Sequence, residues 1–364
     1  MDWIKRKQDF ILSLAVFSLV VIGLVMIYSV SKYYSLQITN EASDKLYLKK
    51  QLIFVVVGIF FWIILQSVNY QVWKRYSPWM LPVTIMLLLI PYITGGASER
   101  WVDLKLFNFQ PSELAKLTMI IYLSGWFAGK EENYEKIKRM FFPFVITMSL
   151  ICYSLFLQKD LGTMAIFVVV ASVIFMVAGS SAYHLITGGG LIALLAYLMI
   201  KFEPYRMQRL LTFLNPETDT SSTGYHINNA LIAIGSGGLW GLGFGQSRQK
   251  FLYLPEAHTD SIFAIIAEEN GFLRTSLLII LFGLLALRGY KIASEAPDTF
   301  SRLLATGITT WIIIQAFINI GAMLSVVPLT GIPIPFISYG GTSLTVLLAA
   351  VGILINISKY KASK

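Results

Sequence analysis

Residues 10–30 read FILSLAVFSLVVIGLVMIYSV, an unbroken apolar run that carries no charge. A helix rises about 1.5 Å per residue, so the run covers the roughly 30 Å of hydrocarbon in a bilayer. It does not alternate with period two, which excludes a strand of a membrane barrel. It is also too long for the apolar part of a cleavable signal and lacks a small-residue cleavage site before a soluble domain. Residues 10–30 are therefore read as a membrane-spanning helix.

Working outward, similar runs recur near 48–68, 77–94, 111–129, 140–157, 161–179, 183–200, 261–287, 303–325 and 340–357. The prediction is an all-α integral membrane protein with ten transmembrane helices, residues 1–364 forming one polytopic domain. Composition agrees: 56% of residues are hydrophobic and 13% charged, the latter about half the share of a soluble protein. Too little polar surface remains to cover a globule in water. Soluble, disordered, fibrous and nucleic-acid-binding classes are excluded on that ground. The lone Cys152 leaves no disulfide framework. An even number of spans puts both termini on one side. About half of the 29 Lys+Arg, including Lys5-Arg6-Lys7 and Lys74-Arg75, fall in about 50 residues on that side, which predicts cytoplasmic termini.

The outer segment from about 201 to 259 is far longer than any other loop. It holds Leu231, Ile232, Ile234, Leu239, Trp240, Leu242 and Phe244 among its glycines, so an interfacial helix or a re-entrant hairpin is expected rather than a free linker. Its glycines follow no strand and precede no Lys-Ser/Thr, so they form no nucleotide loop. His184, His226 and His258 are too scattered for a zinc site.

Ionisable groups at the mouths of spans are costly and mark candidate sites. Three clusters stand out. Arg100-Trp101 precedes Gln110-Pro111-Ser112-Glu113-Leu114-Ala115-Lys116, where Pro111 suits a first helical turn and Gln110 or Ser112 can satisfy its free amides. Glu113 and Lys116 share a helix face. They form either a self-neutralising pair or a cation and carboxylate facing an outward cavity, with Arg100 offered to a phosphate and Trp101 to a sugar or to the interfacial belt. Next, Leu254-Pro255-Glu256-Ala257-His258-Thr259-Asp260 opens the eighth span. Asp260 reads as a helix cap or as a carboxylate whose partial withdrawal from water suits a general base. Glu268-Glu269 lie deeper and read as structural, with Arg274 available to neutralise one. Finally, residues 328–343 hold three prolines and three glycines, ending in Ser338-Tyr339-Gly340-Gly341-Thr342-Ser343. Broken backbone at this depth must be buried in protein or line a cavity, and Thr342 and Ser343 can cap the last span.

The strings FQPSELAK (109–116), YLPEAHTD (253–260) and PFISYGGTS (335–343) resemble the signature segments of the SEDS family of bacterial shape, elongation, division and sporulation proteins. The resemblance covers essentially the whole chain. Residues 205–211, 232–238 and 247–250 are more similar to the division branch than to the elongation branch, whereas Asn270 and Arg274 depart from the family pattern. The resemblance implies a peptidoglycan glycosyltransferase that polymerises lipid II on the outer face of the cytoplasmic membrane, with Asp260 as the essential carboxylate. It implies no nucleic-acid partner, but a single-pass class B penicillin-binding protein as transpeptidase, beside other divisome or elongasome membrane proteins. In the mechanism this suggests, Asp260 deprotonates the acceptor sugar hydroxyl. Lys116 and Arg100, then Arg206, Arg248 and Lys250, meet the leaving diphosphate. Trp101, Gln110, Glu113, Glu256, His258, Thr259, Ser338, Gly340, Gly341 and Thr342 shape the substrate cavity. No cofactor is evident, though a divalent cation (Mg or Mn) could share the phosphate charge. The rival readings are a lipid flippase or transporter and a non-catalytic scaffold.

Overall fold

The computed structural model describes residues 3–5, 8–38, 43–94, 100–105, 107–128, 134–180, 190, 207, 211–213, 223–251 and 253–362. The predicted span at 183–200 and Arg206 lie outside the described residues. The other predicted spans are helices: α1 (Phe10–Ile38), α2 (Leu46–Ser67), α3 (Gln71–Thr94), α4 (Pro111–Phe127), α5 (Tyr134–Leu157) and α6 (Leu161–Val177). After α7 (Thr223–Ser236) come α8 (Ile262–Ser294), α9 (Thr299–Met323) and α10 (Gly341–Ser358). Seven of the described helices are long and apolar enough to cross a membrane, with the 17-residue α6 just shorter.

Local chemistry sets several boundaries. Asp160 caps α6 by accepting from the Thr163 amide at 3.1 Å. Asp298 and Ser301 form a capping box that starts α9. Pro111 opens α4 in the first turn, where its missing N–H is harmless. Neither Gln110 nor Ser112 caps that helix: no side-chain bond is made by Gln110, and Ser112 Oγ is buried without a partner.

The bundle is organised around α9 and α10, which are 78% and 83% buried along their apolar windows, against 17–44% for the other described spans. Helix α10 packs along α2 and α4, and α9 packs along α4, α6 and α8. Two short strands missed by pattern reading, β1 (Trp3–Lys5) and β4 (Tyr360–Ala362), pair antiparallel and bring the termini together. Arg288 near the end of α8 donates to Asp9 at 3.0 Å, so that end lies on the terminal face. Helix α8 has 33 residues, and its stretch after Gly271 alone covers about 35 Å. Its first residue therefore sits on the opposite face.

Helix α8 is broken. Gly271 adopts φ 72° and ψ 179°, a conformation open to glycine. The break leaves the Glu268 and Glu269 carbonyls without helical donors. They accept instead from the Leu242 and Gly243 amides at 3.0 Å, while Phe272 N–H donates to Gly238 O at 2.8 Å. A Cβ on Gly271 would lie 2.2 Å from Gly241 N, and one on Gly241 2.2 Å from Glu269 O. The described part of the long segment thus comprises α7 and a glycine turn exchanging backbone bonds with α8, with Leu239, Trp240, Leu242 and Phe244 exposed.

Candidate active site

Residues 254–261 fold into tight turns rather than continuing α8 upward. Leu254 and Ala257 are fully buried and act as anchors. The Thr259 and Ser261 amides both donate to Glu256 O, at 3.1 and 3.3 Å, and Glu256 accommodates the reversal with φ 48°. This geometry leaves Glu256 exposed and draws Asp260 inward, to 8% exposure. Asp260 Oδ1 faces the hydroxyls of Thr259 at 3.4 Å and Ser261 at 3.5 Å. Oδ2 faces exposed Gly331, where a Cβ would stand 3.6 Å away. Among the described residues no cation pairs with this carboxylate. Burial, reinforced by the charge of Glu256 and opposed by the neighbouring hydroxyls, pushes the Asp260 carboxyl up to about 6. A carboxylate held this way is ionised at neutral pH yet proton-avid, which is what a general base requires.

A ladder on α9 joins the three sequence clusters. Asn319 Nδ2 donates to Asp260 O and to Ile332 O, both at 2.7 Å. One turn earlier, Gln315 Nε2 donates to Pro333 O at 3.1 Å, while its Oε1 accepts from Lys116 Nζ and from Trp311 Nε1, each at 2.8 Å. Lys116 Nζ also donates to Glu113 Oε1 at 2.8 Å and lies 5.1 Å from the Trp311 ring centre. Tyr339 N–H donates to His258 O at 2.9 Å. The His258 ring sits 4.5 to 5.7 Å from the rings of Tyr47, Tyr34 and Tyr339. Burial holds its imidazole below the usual range, against the pull of Glu256. Ser338 Oγ accepts from Ile334 N at 2.9 Å, and Gly340 N–H donates to Gln51 Oε1 at 3.3 Å.

The motif segments around Gln110, Asp260 and Ser338 therefore converge, but several residues take other parts than expected. Lys116 is 2% exposed and neutralised by Glu113, so the bundle holds a closed ion pair rather than a cation facing an open cavity. Lys250, expected to meet a phosphate, is buried against Glu269 at 2.8 Å. It, and not the exposed Arg274, neutralises that acid. Arg100 spends its guanidinium on the Gln158 and Lys159 carbonyls at the end of α5, the Nε bond measuring 3.2 Å. Thr342 does not cap α10: its hydroxyl donates to Asn108 O at 3.2 Å and accepts from Gln110 N at 3.4 Å. It ties on the hairpin of β2 (Val102–Asp103) and β3 (Asn108–Phe109). Gly341 faces Phe54 of α2, which a Cβ would meet at 2.3 Å, so its role is helix packing. Trp101 stands partly exposed before β2, and Arg248 is exposed, its amide donating to Glu268 Oε1 at 2.9 Å and its carbonyl accepting from Phe251 N at 3.3 Å.

Gln315 and Asn319 escaped the search for charges because they are neutral. A visible signal existed: Trp311, Gln315 and Asn319 recur every four residues in an apolar span, one polar stripe along a helix.

These features define a class, a polytopic helical membrane protein with a buried, cation-free carboxylate at the head of a broken helix, away from the termini. Comparison with known proteins narrows it. The family model of the FtsW/RodA/SpoVE cell cycle proteins matches residues 10–363. Stage V sporulation protein E of Bacillus subtilis is 38% identical over 363 residues, 98% of each chain. A probable peptidoglycan glycosyltransferase FtsW of Geobacter sulfurreducens is 36% identical over 359 residues, 97% of this chain and 95% of the other. A chain of a peptidoglycan synthase complex, solved for its structural coordination of polymerization and crosslinking, superposes with a TM-score of 0.78 at 25% identity, covering 96% of this chain and 97% of that one. The protein belongs to the FtsW/RodA/SpoVE family and is a multi-pass protein of the bacterial inner membrane.

Proposed function

We propose that this chain is a peptidoglycan glycosyltransferase that polymerises lipid II, with Asp260 as the general base. The observation that carries the assignment is the carboxylate itself: buried, unpaired with any described cation, proton-avid, and with Oδ2 turned to Gly331, which has no side chain. An acceptor sugar placed over Gly331 would hand the proton of its attacking hydroxyl to Oδ2 as the hydroxyl oxygen bonds the anomeric carbon of the donor. The bond to the lipid diphosphate then breaks on the opposite face, inverting the centre with a single carboxylate. Negative charge grows on the diphosphate and calls for a cation. Lys116, Lys250 and Arg100 are engaged elsewhere, so Arg248 is the described candidate left at the surface for this role. The diphosphate charge is assigned to basic side chains, and a divalent cation (Mg or Mn) could share it. Glu113, Lys116, Gln315 and Asn319 act as the frame that fixes the Pro333 loop and Asp260 relative to each other. Similarity to FtsW proteins and to a chain of a synthase complex supports a division-type role and a class B penicillin-binding protein as partner.

The test is polymerisation of purified lipid II by the chain with such a partner. Wild type should form glycan polymer and Asp260→Asn should lose at least a hundredfold in rate with its fold retained. Unaltered polymerisation by Asp260→Asn would remove Asp260 as the base. Transfer of labelled lipid II between leaflets without polymer would replace the enzyme with a transporter.

A further inference from the structure

The hydroxyl of Ser261 lies at the centre of three groups. His226 Nε2, on α7, stands 2.6 Å from Ser261 Oγ. Pro255 O lies 2.9 Å and Asp260 Oδ1 3.5 Å from the same oxygen. His226 is 8% exposed and Ser261 fully buried, so water does not substitute for these contacts. A serine hydroxyl has one hydrogen to give. The Pro255 carbonyl and the Asp260 carboxylate can only accept it. Were His226 Nε2 also an acceptor, three acceptors would compete for one proton, leaving buried polar atoms unserved. The network thus selects the Nε2–H tautomer: His226 donates to Ser261 Oγ, and the Ser261 hydrogen is directed to the far side, between Pro255 O and Asp260 Oδ1.

The ring is held firmly enough for this to matter. A Cβ on Gly237, one residue past α7, would come within 2.1 Å of Ala267 O. That close approach fixes the backbone of α7 against α8 and so sets the position from which the imidazole reaches Ser261. On the opposite side, Asn319 Nδ2 holds the Asp260 carbonyl at 2.7 Å. Asp260 is therefore held at its main chain and approached at Oδ1 by the Ser261 hydroxyl at 3.5 Å, while Oδ2 faces Gly331.

We infer that His226 is a positioning residue for Asp260, acting through Ser261: its Nε2–H aims the serine hydroxyl so that Oδ1 is held and Oδ2 is presented to the acceptor sugar. The inference rests on the proposed glycosyltransferase reading, and it assigns work to a helix of the long outer segment. His226 touches neither substrate nor reacting atoms in this scheme.

The experiment is steady-state lipid II polymerisation by the chain purified with its class B penicillin-binding protein, using wild type, His226→Ala, His226→Gln, Ser261→Ala and the His226→Ala/Ser261→Ala double variant. Glutamine places an amide N–H where Nε2–H stood. Removing one orienting hydrogen bond should lower kcat about five- to tenfold with KM for lipid II unchanged. His226→Gln should recover most of that loss. The double variant should be no slower than either single one, because both act on the same hydroxyl. Multiplicative losses in the double variant, a glutamine variant no better than alanine, or a loss carried by KM would each overturn the inference. An inactive wild type would instead overturn the underlying function, so the two failures are told apart by the first assay in the series.

Discussion

Asp260 and Glu269 lie nine positions apart at the head of the same helix, and both are buried, yet their surroundings are opposite. Glu269 accepts from Lys250 Nζ at 2.8 Å and from Ser29 Oγ at 2.9 Å, and the adjacent Glu268 accepts from the Arg248 and Gln249 amides at 2.9 and 3.4 Å and from Ser247 Oγ. Asp260 has two distant hydroxyls and no described cation. A buried charge surrounded by donors is neutralised and holds structure, whereas one left partly unserved keeps an appetite for a proton. The Glu268–Glu269 pair is a clasp that fixes residues 247–250 and the glycine turn. Asp260 is the acid kept ready for chemistry.

The contrast breaks most visibly at the clasp. Lys250→Ala leaves Glu269 charged in the bundle with no cation beside it, and we expect about 3–5 kcal/mol of lost stability, read as a lower unfolding temperature in detergent. Adding Glu269→Gln should restore most of it, while Arg274→Gln, at an exposed site, should move stability by less than about 0.5 kcal/mol. If Arg274→Gln proved as damaging as Lys250→Ala, the pairing described for Glu269 would be incorrect.

The effect at Asp260 runs the other way and is smaller. Its carboxyl binds a proton more tightly folded, at about 6, than at its ordinary 3.8. The native state therefore loses stability as pH climbs from about 4 to about 6, and the deficit is constant above that. Asp260→Asn, which has no charge to bury, should unfold at a higher temperature than wild type at pH 8, by at most about 3 kcal/mol. The advantage should vanish below about pH 4. An asparagine variant less stable than wild type at pH 8 would mean that the charge is compensated after all.

The same contrast explains which parts could be read from the sequence. Long apolar runs announced their helices because hydrocarbon thickness imposes length and polarity together. That the long segment is no free linker was legible for a related reason, since Leu239, Trp240, Leu242 and Phe244 stand among its glycines. The break in α8 was not legible. It exists because the turn around Gly241 supplies the bonds that Gly271 gives up, and neither half of that exchange has a local signature. Asp260 was recognisable as an acid out of place, but the partners of Lys116 and Lys250 were not. Charge is written in a sequence, whereas its neutralisation depends on what another helix brings within 3 Å. Gln315 and Asn319 show the limit from the other side, as neutral residues whose importance comes from the two loops they tie together.

The central claim is that Asp260 works as a base from a partly desolvated seat, and the pH dependence of lipid II polymerisation tests it most directly. The wild-type kcat/KM should climb about tenfold per unit at low pH, bend near 6 and stay level above, and the residual rate of Asp260→Asn should lack that limb. A wild-type profile bending near 4, or an asparagine variant that keeps the bend at 6, would contradict the account.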